Sequence, residues 1–230
     1  MKQGLVLDKV VLLGRTLDEY RRYFDLALEG LRDKAILDVA SGVSSFCAEA
    51  NRAGLRVTAC DPIYKLPGED IRQRCGPDLD LVLGAVRNLK TYRWDFYRTP
   101  EHLRGFRERA YRTFLDDYQE HGADRYRTGR LPTLPFADGQ FDVTLVSYLL
   151  FAYEDQLDYE LHKRSVLELM RVTRKEVRIY PTVTFEAVRS GHLDRLQQDP
   201  ELRHLGLELV PTDFEFLVGS NNYLRVFRCQ

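Results

Sequence analysis

Residues 35–50 read AILDVASGVSSFCAEA, and this stretch decides the fold. Its first part, AILDVA, has the length and apolar character of a strand buried in a sheet. Residues 44–53 have the composition of a helix, with Gly54 just past its end. A turn that contains the single glycine Gly42 joins them. A strand, a tight turn and a helix in this order predict the first unit of a parallel α/β sheet.

The alternation of strands and helices continues along the chain. The further strands that we predict are LRVTACD (55–61), RYRTGRL (125–131), FDVTLVSYLLF (141–151) and KEVRIYP (175–181). The closing stretch LELVPTDFEFLVGSNNYLRVF (207–227) has the pattern of two strands around the turn GSNN, a hairpin signature. These elements predict a Rossmann-like α/β fold, a three-layer sandwich with a mostly parallel seven-stranded sheet and an antiparallel terminal hairpin.

The chain has no break in composition, so residues 1–230 are predicted to form a single domain. Residues 62–124 are mostly helical in character and too long for a simple crossover, which predicts a helical cap insertion. Residues 1–34 are predicted to supply N-terminal lid helices. Within them Leu17, Tyr20 and Phe24 share one helix face, and this pattern fits a lid over a ligand and a docked structural helix equally well.

Composition gives no support to several classes of partner. Lys and Arg number 34 against 35 Asp and Glu, so a net charge of −1 gives no whole-chain attraction to nucleic acid or membranes. The N-terminal apolar run is interrupted by Asp8 and Lys9, unlike a signal peptide or a membrane span. Four cysteines without a C-x-x-C pair are typical of free thiols in a cytoplasmic protein, and the histidines lack metal-ligand spacing.

The turn after the first strand has the features of a ligand site. Backbone N–H groups and a helix N-terminus meet there, and Gly42 lets a ligand approach the backbone closely. Asp38 lies near the end of the first strand, and Asp61 ends the second strand 19 residues after Gly42. Two acids around a glycine turn suit a ligand with both an amine and a ribose, and S-adenosylmethionine has both.

The sequence resembles class I S-adenosylmethionine-dependent methyltransferases in four places. ILDVASG is similar to their first motif, ACDP to their ribose-binding acid, LPTLPFADGQFDVTLVSYLLF to their entry into the fourth strand, and LELMRVTRKEVRIYP to their next helix and strand. The resemblance covers roughly residues 35–61 and 125–228. It implies S-adenosylmethionine as cofactor, bound by Asp38, Ala40, Ser41, Gly42, Asp61, Pro62, Leu131, Pro132 and Ser147.

Within that set the resemblance implies separate roles. Residues 38 and 40–42 would cradle the methionine portion, Asp61 would bind the ribose diol, and Pro62, Leu131 and Pro132 would border the adenine. Ser147, Tyr148 and Tyr153 lie at or just beyond the carboxyl end of the fourth strand, where this fold places the reacting methyl group. Tyr148 and Tyr153 are the candidates for a catalytic base, with side-chain packing as the alternative explanation of Tyr148.

The sequence also departs from the family. The usual D-x-G-x-G-x-G stands here as residues 38–44, DVASGVS, and keeps only its central glycine. The acid that often contacts adenine is missing before LPF, so adenine recognition would depend on backbone groups and apolar packing. The fourth strand continues into SYLLFAY instead of an NPPY-like tetrapeptide, which argues against methylation of a nucleobase or an amide nitrogen.

The leading hypothesis is therefore methyl transfer to a small molecule. One alternative is a non-catalytic S-adenosylmethionine-binding or pseudo-enzyme subunit that uses the helical cap as a partner surface. Another is an RNA methyltransferase that uses the arginines of residues 104–130, although the acids of the same stretch favour a solvated, ion-paired helix. A nicotinamide-dependent oxidoreductase is a third, and the missing G-x-G-x-x-G counts against it.

Overall fold

The computed structural model describes residues 5, 7 and 10–229. In chain order its strands are β1 (Ala35–Val39), β2 (Arg56–Cys60), β3 (Tyr126–Arg127), β4 (Phe141–Ser147), β5 (Thr173–Tyr180), β6 (Leu205–Pro211) and β7 (Asn222–Arg228). Within these described ranges they form one sheet in the order β3-β2-β1-β4-β5-β7-β6. The pairs among β1 to β5 are parallel, and β7 runs antiparallel to β5 and β6. The predicted Rossmann-like fold with a mostly parallel seven-stranded sheet is confirmed.

Helices cover both faces of this sheet. They are α1 (Leu17–Tyr23), α2 (Phe46–Arg52), α3 (Gly68–Val86), α4 (Pro100–His121), α5 (Tyr159–Val172) and α6 (Gly191–Gln198). Successive side chains of a strand point to opposite faces. Ile36 accordingly packs with side chains of α1 to α4, whereas Leu37 packs with those of α5 and α6. The alternation along β1 thus divides the interior into two apolar layers and gives the predicted three-layer sandwich.

The third strand is much shorter than the predicted 125–131. Only Tyr126 and Arg127 pair with β2, opposite Ala59 and Cys60. The backbone then leaves the sheet because Gly129 lies against Cys60 and Pro135, where a Cβ on Gly129 would come within 2.7 Å of the Cys60 sulfur. The alternating sequence therefore ends as a loop packed on the end of β2.

The antiparallel terminal pair is confirmed, but the predicted tight turn at GSNN is wrong. Its register runs from Leu205 opposite Arg228 to Pro211 opposite Asn222, so residues 212–221 form the connection. Phe214 and Phe216 of this connection pack in the core against aromatic rings near the N-terminus and before α4. Their alternation resembles a strand in the sequence, although it reflects insertion of a loop into the aromatic core.

The predicted cap and lid segments contain helices. Residues 62–124 include α3 and α4, and α4 begins at the N-cap Thr99, whose side chain accepts a hydrogen bond from the His102 N–H. Residues 1–34 include α1, which begins at a capping box formed by Thr16 and Glu19. The parts of the lid prediction at residues 1–4, 6, 8 and 9 lie outside the described residues. The cap and lid roles stay predictions.

The four cysteines are unpaired, as predicted: Cys47, Cys60 and Cys75 are buried and Cys229 is exposed. Across residues 5, 7 and 10–229 no helix is long and apolar enough to span a membrane. The same ranges contain no group of three or more His, Cys, Asp or Glu side chains that could hold a metal ion.

The N-terminal segment passes closely over the first turn of the sheet at Gly14. A Cβ on Gly14 would overlap the Val43 carbonyl oxygen and would lie 3.0 Å from the Cβ of Ala110 on α4. Gly14 also accepts a hydrogen bond of 3.0 Å at its carbonyl from Arg107. The absence of a side chain therefore permits three separate elements to meet at this point.

Gly14→Ala should lower the free energy of unfolding by about 1–3 kcal/mol, because overlap with backbone forces the packed segments apart. Gly105→Ala is the matched control, since a Cβ on this exposed glycine of α4 would contact nothing within 4 Å. It should raise stability by about 0.5–1 kcal/mol, as expected inside a helix. Urea denaturation of both variants measures the difference. Equal effects of the two changes would contradict the close approach at Gly14.

Candidate functional site

The turn after β1 has a constrained backbone. Ala40 and Gly42 both lie in the left-handed region, with φ of 57° and 54°. The Ala40 N–H donates to the carbonyl of Cys60, at the end of β2, over 2.9 Å. A left-handed conformation costs a residue with a Cβ roughly 1–2 kcal/mol, so the surrounding structure imposes this shape on Ala40. Ala40 occupies a position where the resembling family has a glycine.

Asp61 joins this turn to the end of β2. One carboxylate oxygen accepts the Gly42 N–H and the other accepts the Ile63 N–H, both over 2.9 Å. The second bond caps the short 3-10 helix Pro62–Lys65, and Pro62 is half-buried. Burial raises the pKa of Asp61 to about 6, although the two N–H donors partly offset it. A carboxylate has about four lone-pair sites, so Asp61 retains acceptor capacity for a ligand.

Asp38 is fully buried beneath the same turn. Its oxygens accept hydrogen bonds from the Tyr20 hydroxyl over 2.9 Å and from the Ser41 hydroxyl over 2.6 Å. Burial raises the pKa of Asp38 to about 7, and the bonds from Ser41 and Tyr20 oppose that rise. The Asp38 carboxylate therefore bonds to groups of the protein and orients Ser41 and α1. It lies behind the surface of the turn at which a ligand would bind.

The segment predicted to border adenine reaches the edge of the same site. Leu131 is buried together with Val39 and Cys60, the last residues of β1 and β2. Pro132 beside it is half-buried. The close contact between Gly129 and Cys60 holds this segment next to Asp61. The structure therefore gathers the predicted residues of three sequence segments at the carboxyl ends of β1 and β2.

The end of β4 completes this side of the molecule. The Ser147 hydroxyl is buried near the Tyr20 hydroxyl, but within the described part of the chain it forms no hydrogen bond of regular length and angle. Tyr148 follows it in the left-handed region, with φ of 52°, and its N–H donates to the Tyr180 carbonyl over 2.7 Å. A bulky residue in that region is a genuine outlier and is often found at functional sites.

The two tyrosines that the sequence indicates as possible bases are placed differently. Tyr153 accepts the Val11 N–H at its hydroxyl over 3.3 Å. The ring of Tyr148 lies against Tyr23 and Tyr180, with the guanidinium of Arg15 4.2 Å above its centre. Burial raises the pKa of both Tyr148 and Tyr153. Both hydroxyls therefore stay protonated near neutral pH, which suits donors of hydrogen bonds and does not suit general bases.

Tyr20 and Tyr64 belong to the site although the sequence does not identify them. The Tyr64 hydroxyl donates to the Gly42 carbonyl over 2.8 Å, and the Tyr118 hydroxyl of α4 donates to the Tyr64 carbonyl over 2.8 Å. Tyr20 reaches Asp38 from α1 and stacks on Phe46. The pattern of α1 places Tyr20 on an apolar face, but no local signal reveals the partner of its hydroxyl. Tyr64 has no sequence signal at all.

A buried ion pair connects α1 to α4 beside the site. A guanidinium nitrogen of Arg107 lies 2.6 Å from a carboxylate oxygen of Glu19, and both side chains are almost completely buried. Glu19 also accepts hydrogen bonds from Thr16, Tyr23 and Tyr97. Burial alone would raise the pKa of Glu19, but Arg107 and these donors outweigh it and lower the pKa. The two helices are thus held together by charges that no water shields.

Arginines of the cap are largely engaged within the protein. Arg104 pairs with Asp80 and Glu108, Arg112 pairs with Glu108, and Arg125 pairs with Asp117. Arg107 is buried against Glu19, and Arg109 lies over the ring of Phe106. The interpretation as ion-paired side chains is confirmed for Arg104, Arg112 and Arg125, whereas Arg107 is buried and Arg109 contacts a ring.

Comparison with known proteins gives one relative that spans the chain. The uncharacterized protein MJ0045 of Methanocaldococcus jannaschii is 38% identical over 226 residues, which cover 97% of this chain and 99% of the relative. No family model matches the chain. The shared length includes the turn after β1, the cap helices and the terminal strands.

Solved structures give more distant likenesses. The PH0226 protein of Pyrococcus horikoshii OT3 has 14% identity and a TM-score of 0.45, covering 93% of this chain and 90% of its own. An S-adenosylmethionine-dependent methyltransferase of Aquifex aeolicus has 12% identity and a TM-score of 0.43, covering 92% and 95%. The magnesium protoporphyrin IX methyltransferase of Synechocystis PCC 6803, with bound S-adenosylmethionine, has 12% identity and a TM-score of 0.46, covering 93% and 78%.

These TM-scores lie below 0.5, so the fold is assigned from the order and direction of the strands. The high identity to MJ0045 over nearly the full length of both chains establishes common family membership. The protein therefore belongs to the family of MJ0045 and has a Rossmann-like fold of the methyltransferase type.

Proposed function

We propose that the protein is an S-adenosylmethionine-dependent methyltransferase that acts on a small molecule. The observation that supports this most is the hydrogen bond from the Gly42 N–H to the Asp61 carboxylate. It joins a left-handed turn to the acid at the end of the neighbouring strand, at the carboxyl edge of a parallel sheet. That edge is where open α/β sheets bind nucleotide-containing ligands.

Two features of the site fit such a cofactor. The space beside Gly42 is open, since a Cβ there would contact nothing within 4 Å, although its neighbours are packed. The buried hydroxyl of Ser147 forms no regular hydrogen bond with the residues that the structure describes. A buried polar group without a partner is rare in folded proteins, and a cofactor at this edge of the sheet would supply the missing bond.

Separate parts of the chain would hold separate parts of the cofactor. The backbone of residues 40–42 would surround the methionine portion, with Ser41 held in place by Asp38. Asp61 would accept ribose hydroxyls, while Pro62, Leu131 and Pro132 would border the adenine. When bound, S-adenosylmethionine supplies an electrophilic methyl group on its sulfonium. The chain would contribute by orienting the acceptor and by excluding water through α1, whose Tyr20 hydroxyl donates to Asp38 before the turn.

The two alternatives receive less support. An RNA methyltransferase needs basic side chains available to phosphates, whereas Arg104, Arg112 and Arg125 pair with acids of this chain. A partner surface on the cap needs an exposed apolar patch. Among the described residues of α3 and α4, Leu81 is the one large apolar side chain that is clearly exposed.

Titration calorimetry with S-adenosylhomocysteine tests the proposal, with NAD as a comparison ligand. We expect saturable binding of S-adenosylhomocysteine, and a concentration 100 times its Kd should stabilise the fold by about 2.7 kcal/mol. Asp61→Asn should weaken binding roughly tenfold or more, because a charge-assisted bond to ribose is lost. Asp116→Asn, an exposed acid on α4, is the matched control and should bind normally. Absence of binding to the wild type would refute the proposal, and unchanged binding by Asp61→Asn would refute the ribose assignment alone.

Substitutions in the turn test whether its left-handed shape matters for binding. Ala40→Gly should raise the free energy of unfolding by about 0.5 kcal/mol, since relief of strain exceeds the added freedom of the unfolded chain. It should retain affinity for S-adenosylhomocysteine. Gly42→Ala introduces a Cβ at positive φ and should lower stability by about 1 kcal/mol and weaken binding. Denaturant unfolding and calorimetry provide the two readouts, and the reverse order of stabilities would show that the turn is unstrained.

Asp38 predicts a dependence of stability on pH. Its pKa is raised from the usual 3.8 to about 7, so the folded state binds the proton more tightly than the unfolded state. The contribution of Asp38 is then fully present below pH 4 and is lost as the pH rises toward 7. Asp38→Asn does not titrate, so between pH 5 and pH 8 it should gain roughly 2 kcal/mol of stability relative to the wild type. Asp61 titrates in both proteins, and urea unfolding at several pH values isolates Asp38. A constant difference between the proteins would contradict the raised pKa.

A further inference from the structure

A cavity of about 50 Å³ lies between the N-terminal segment, α3 and the end of β4. Leucine and valine side chains of the N-terminal segment and α3 form much of its wall. The polar side chains that line it are Arg15, Tyr92, Arg107, Tyr148 and Tyr153. This combination of an apolar wall and a few convergent polar groups is typical of a small-molecule site.

The cavity adjoins the proposed cofactor site through two residues of its own wall. Arg15 is fixed to the start of α2, because its N–H donates to the Ser44 hydroxyl over 3.1 Å and its carbonyl accepts the Ser45 N–H over 2.9 Å. Tyr148 directly follows Ser147 at the end of β4. The cavity is therefore next to the point where this fold would present a methyl group.

Two donors in the cavity wall lack partners. The Nε of Arg15 is buried without a hydrogen bond, and one terminal nitrogen donates to the Leu13 carbonyl. Within residues 5, 7 and 10–229, no carboxylate pairs with Arg15. The hydroxyl of Tyr92 is likewise buried without a partner. Arg107 differs, because its charge is taken up by Glu19. Among the described residues, the wall of the cavity thus carries one positive charge without a carboxylate partner and one hydroxyl without a hydrogen bond.

We propose that this cavity is the methyl-acceptor chamber and that its substrate is a short-chain aliphatic carboxylic acid. The inference rests on the proposed function. The carboxylate would lie against Arg15 and Tyr92, and the aliphatic part would contact the leucine and valine side chains of the N-terminal segment and α3. An amine acceptor would place a second positive charge beside Arg15, which the surroundings do not compensate.

The size of the cavity restricts the acid. One water needs roughly 10–15 Å³ of cavity volume, so this cavity has room for about four waters. Isobutyrate, with six non-hydrogen atoms, is near the upper limit of that space, whereas benzoate, with nine, exceeds it. Overpacking of the cavity displaces the surrounding side chains, so a larger acid should bind less tightly.

The chemistry of the wall agrees with a carboxylate acceptor. Burial raises the pKa of Tyr148, Tyr153 and Tyr92, and Glu19 is engaged by Arg107 and several donors, so none of them serves as a base. A carboxylate needs no base because it is already ionised. One of its oxygens would form the new O–CH₃ bond as the S–CH₃ bond breaks, and the electron pair of that bond would stay on sulfur. The sulfonium becomes a neutral thioether, the acid becomes a methyl ester, and no proton is transferred.

Direct binding of acids tests this inference. Isobutyrate, benzoate and the uncharged isobutyramide are titrated by calorimetry into protein saturated with S-adenosylhomocysteine, and in parallel into the ligand-free protein. We expect isobutyrate to bind at least tenfold more tightly than isobutyramide and more tightly than benzoate. With S-adenosylmethionine present, mass spectrometry should detect methyl isobutyrate.

Three variants separate binding from packing. Arg15→Gln should weaken isobutyrate binding about tenfold or more through loss of a charge-assisted bond while S-adenosylhomocysteine binds as before. Tyr92→Phe should weaken isobutyrate binding several-fold but raise Tm, because it removes a buried hydroxyl without a partner. Arg109→Gln, on an exposed arginine stacked over Phe106, is the matched control and should leave both unchanged.

Each result has a distinct meaning. Equal affinity for isobutyrate and isobutyramide, or an unchanged Kd in Arg15→Gln, would overturn the acid assignment. Binding of benzoate as tight as that of isobutyrate would overturn the size limit. Failure of S-adenosylhomocysteine to bind would refute the proposed function instead, and the titration into ligand-free protein would still decide whether the cavity binds the acid.

Discussion

The buried ion pair between Glu19 and Arg107 determines how the helices outside the sheet are arranged. Charges so far from water are stable only when each is matched by a partner and hydrogen bonds, and removal of one partner typically costs about 3–5 kcal/mol. Glu19 meets this condition with donors from α1, the segment before α4 and Arg107 itself. Because other positions of α1 and α4 would leave these charges unpaired, the pair selects one arrangement of both helices above the turn.

That arrangement of the helices explains the strained backbone and the raised pKa values of the two acids below it. With α1 in place, Tyr20 covers Asp38 and Arg15 is fixed to the start of α2. Asp38 and Asp61 lose contact with water, which raises the pKa of both, and they bond to the turn itself. The two acids of the site are thus satisfied by protein groups, while the Ser147 hydroxyl and the two cavity donors form no regular hydrogen bond within residues 5, 7 and 10–229. A ligand would supply hydrogen bonds to the groups that lack them. It would also compete for the hydrogen bonds that the Asp61 carboxylate accepts.

The fold was predictable where one physical rule acted alone. Strands β1 and β4 are buried along almost their whole length, so apolar runs identify them, whereas β2 and β5 are buried mainly toward their carboxyl ends. The errors fall where tertiary packing competes with the local pattern. The third strand ends early because Gly129 packs on Cys60, and residues 212–221 leave the sheet because Phe214 and Phe216 enter the aromatic core. Both stretches alternate like strands, and alternation does not reveal which surface a side chain meets.

By itself the sequence determined the sheet, the glycine turn and the two strand-end acids, because each depends on residues close together in the chain. The tertiary structure decided what those acids face. Only folding brings Tyr20 to Asp38, Tyr64 to Gly42, and Arg15 to Tyr148 and the wall of the cavity. Whether a charge is paired and whether a hydroxyl is satisfied depend on segments distant in the sequence, and no local pattern carries that information. The sequence indicates where the glycine turn and its two acids lie, while the packing of α1, α3 and α4 decides the charge and size of the cavity beside them.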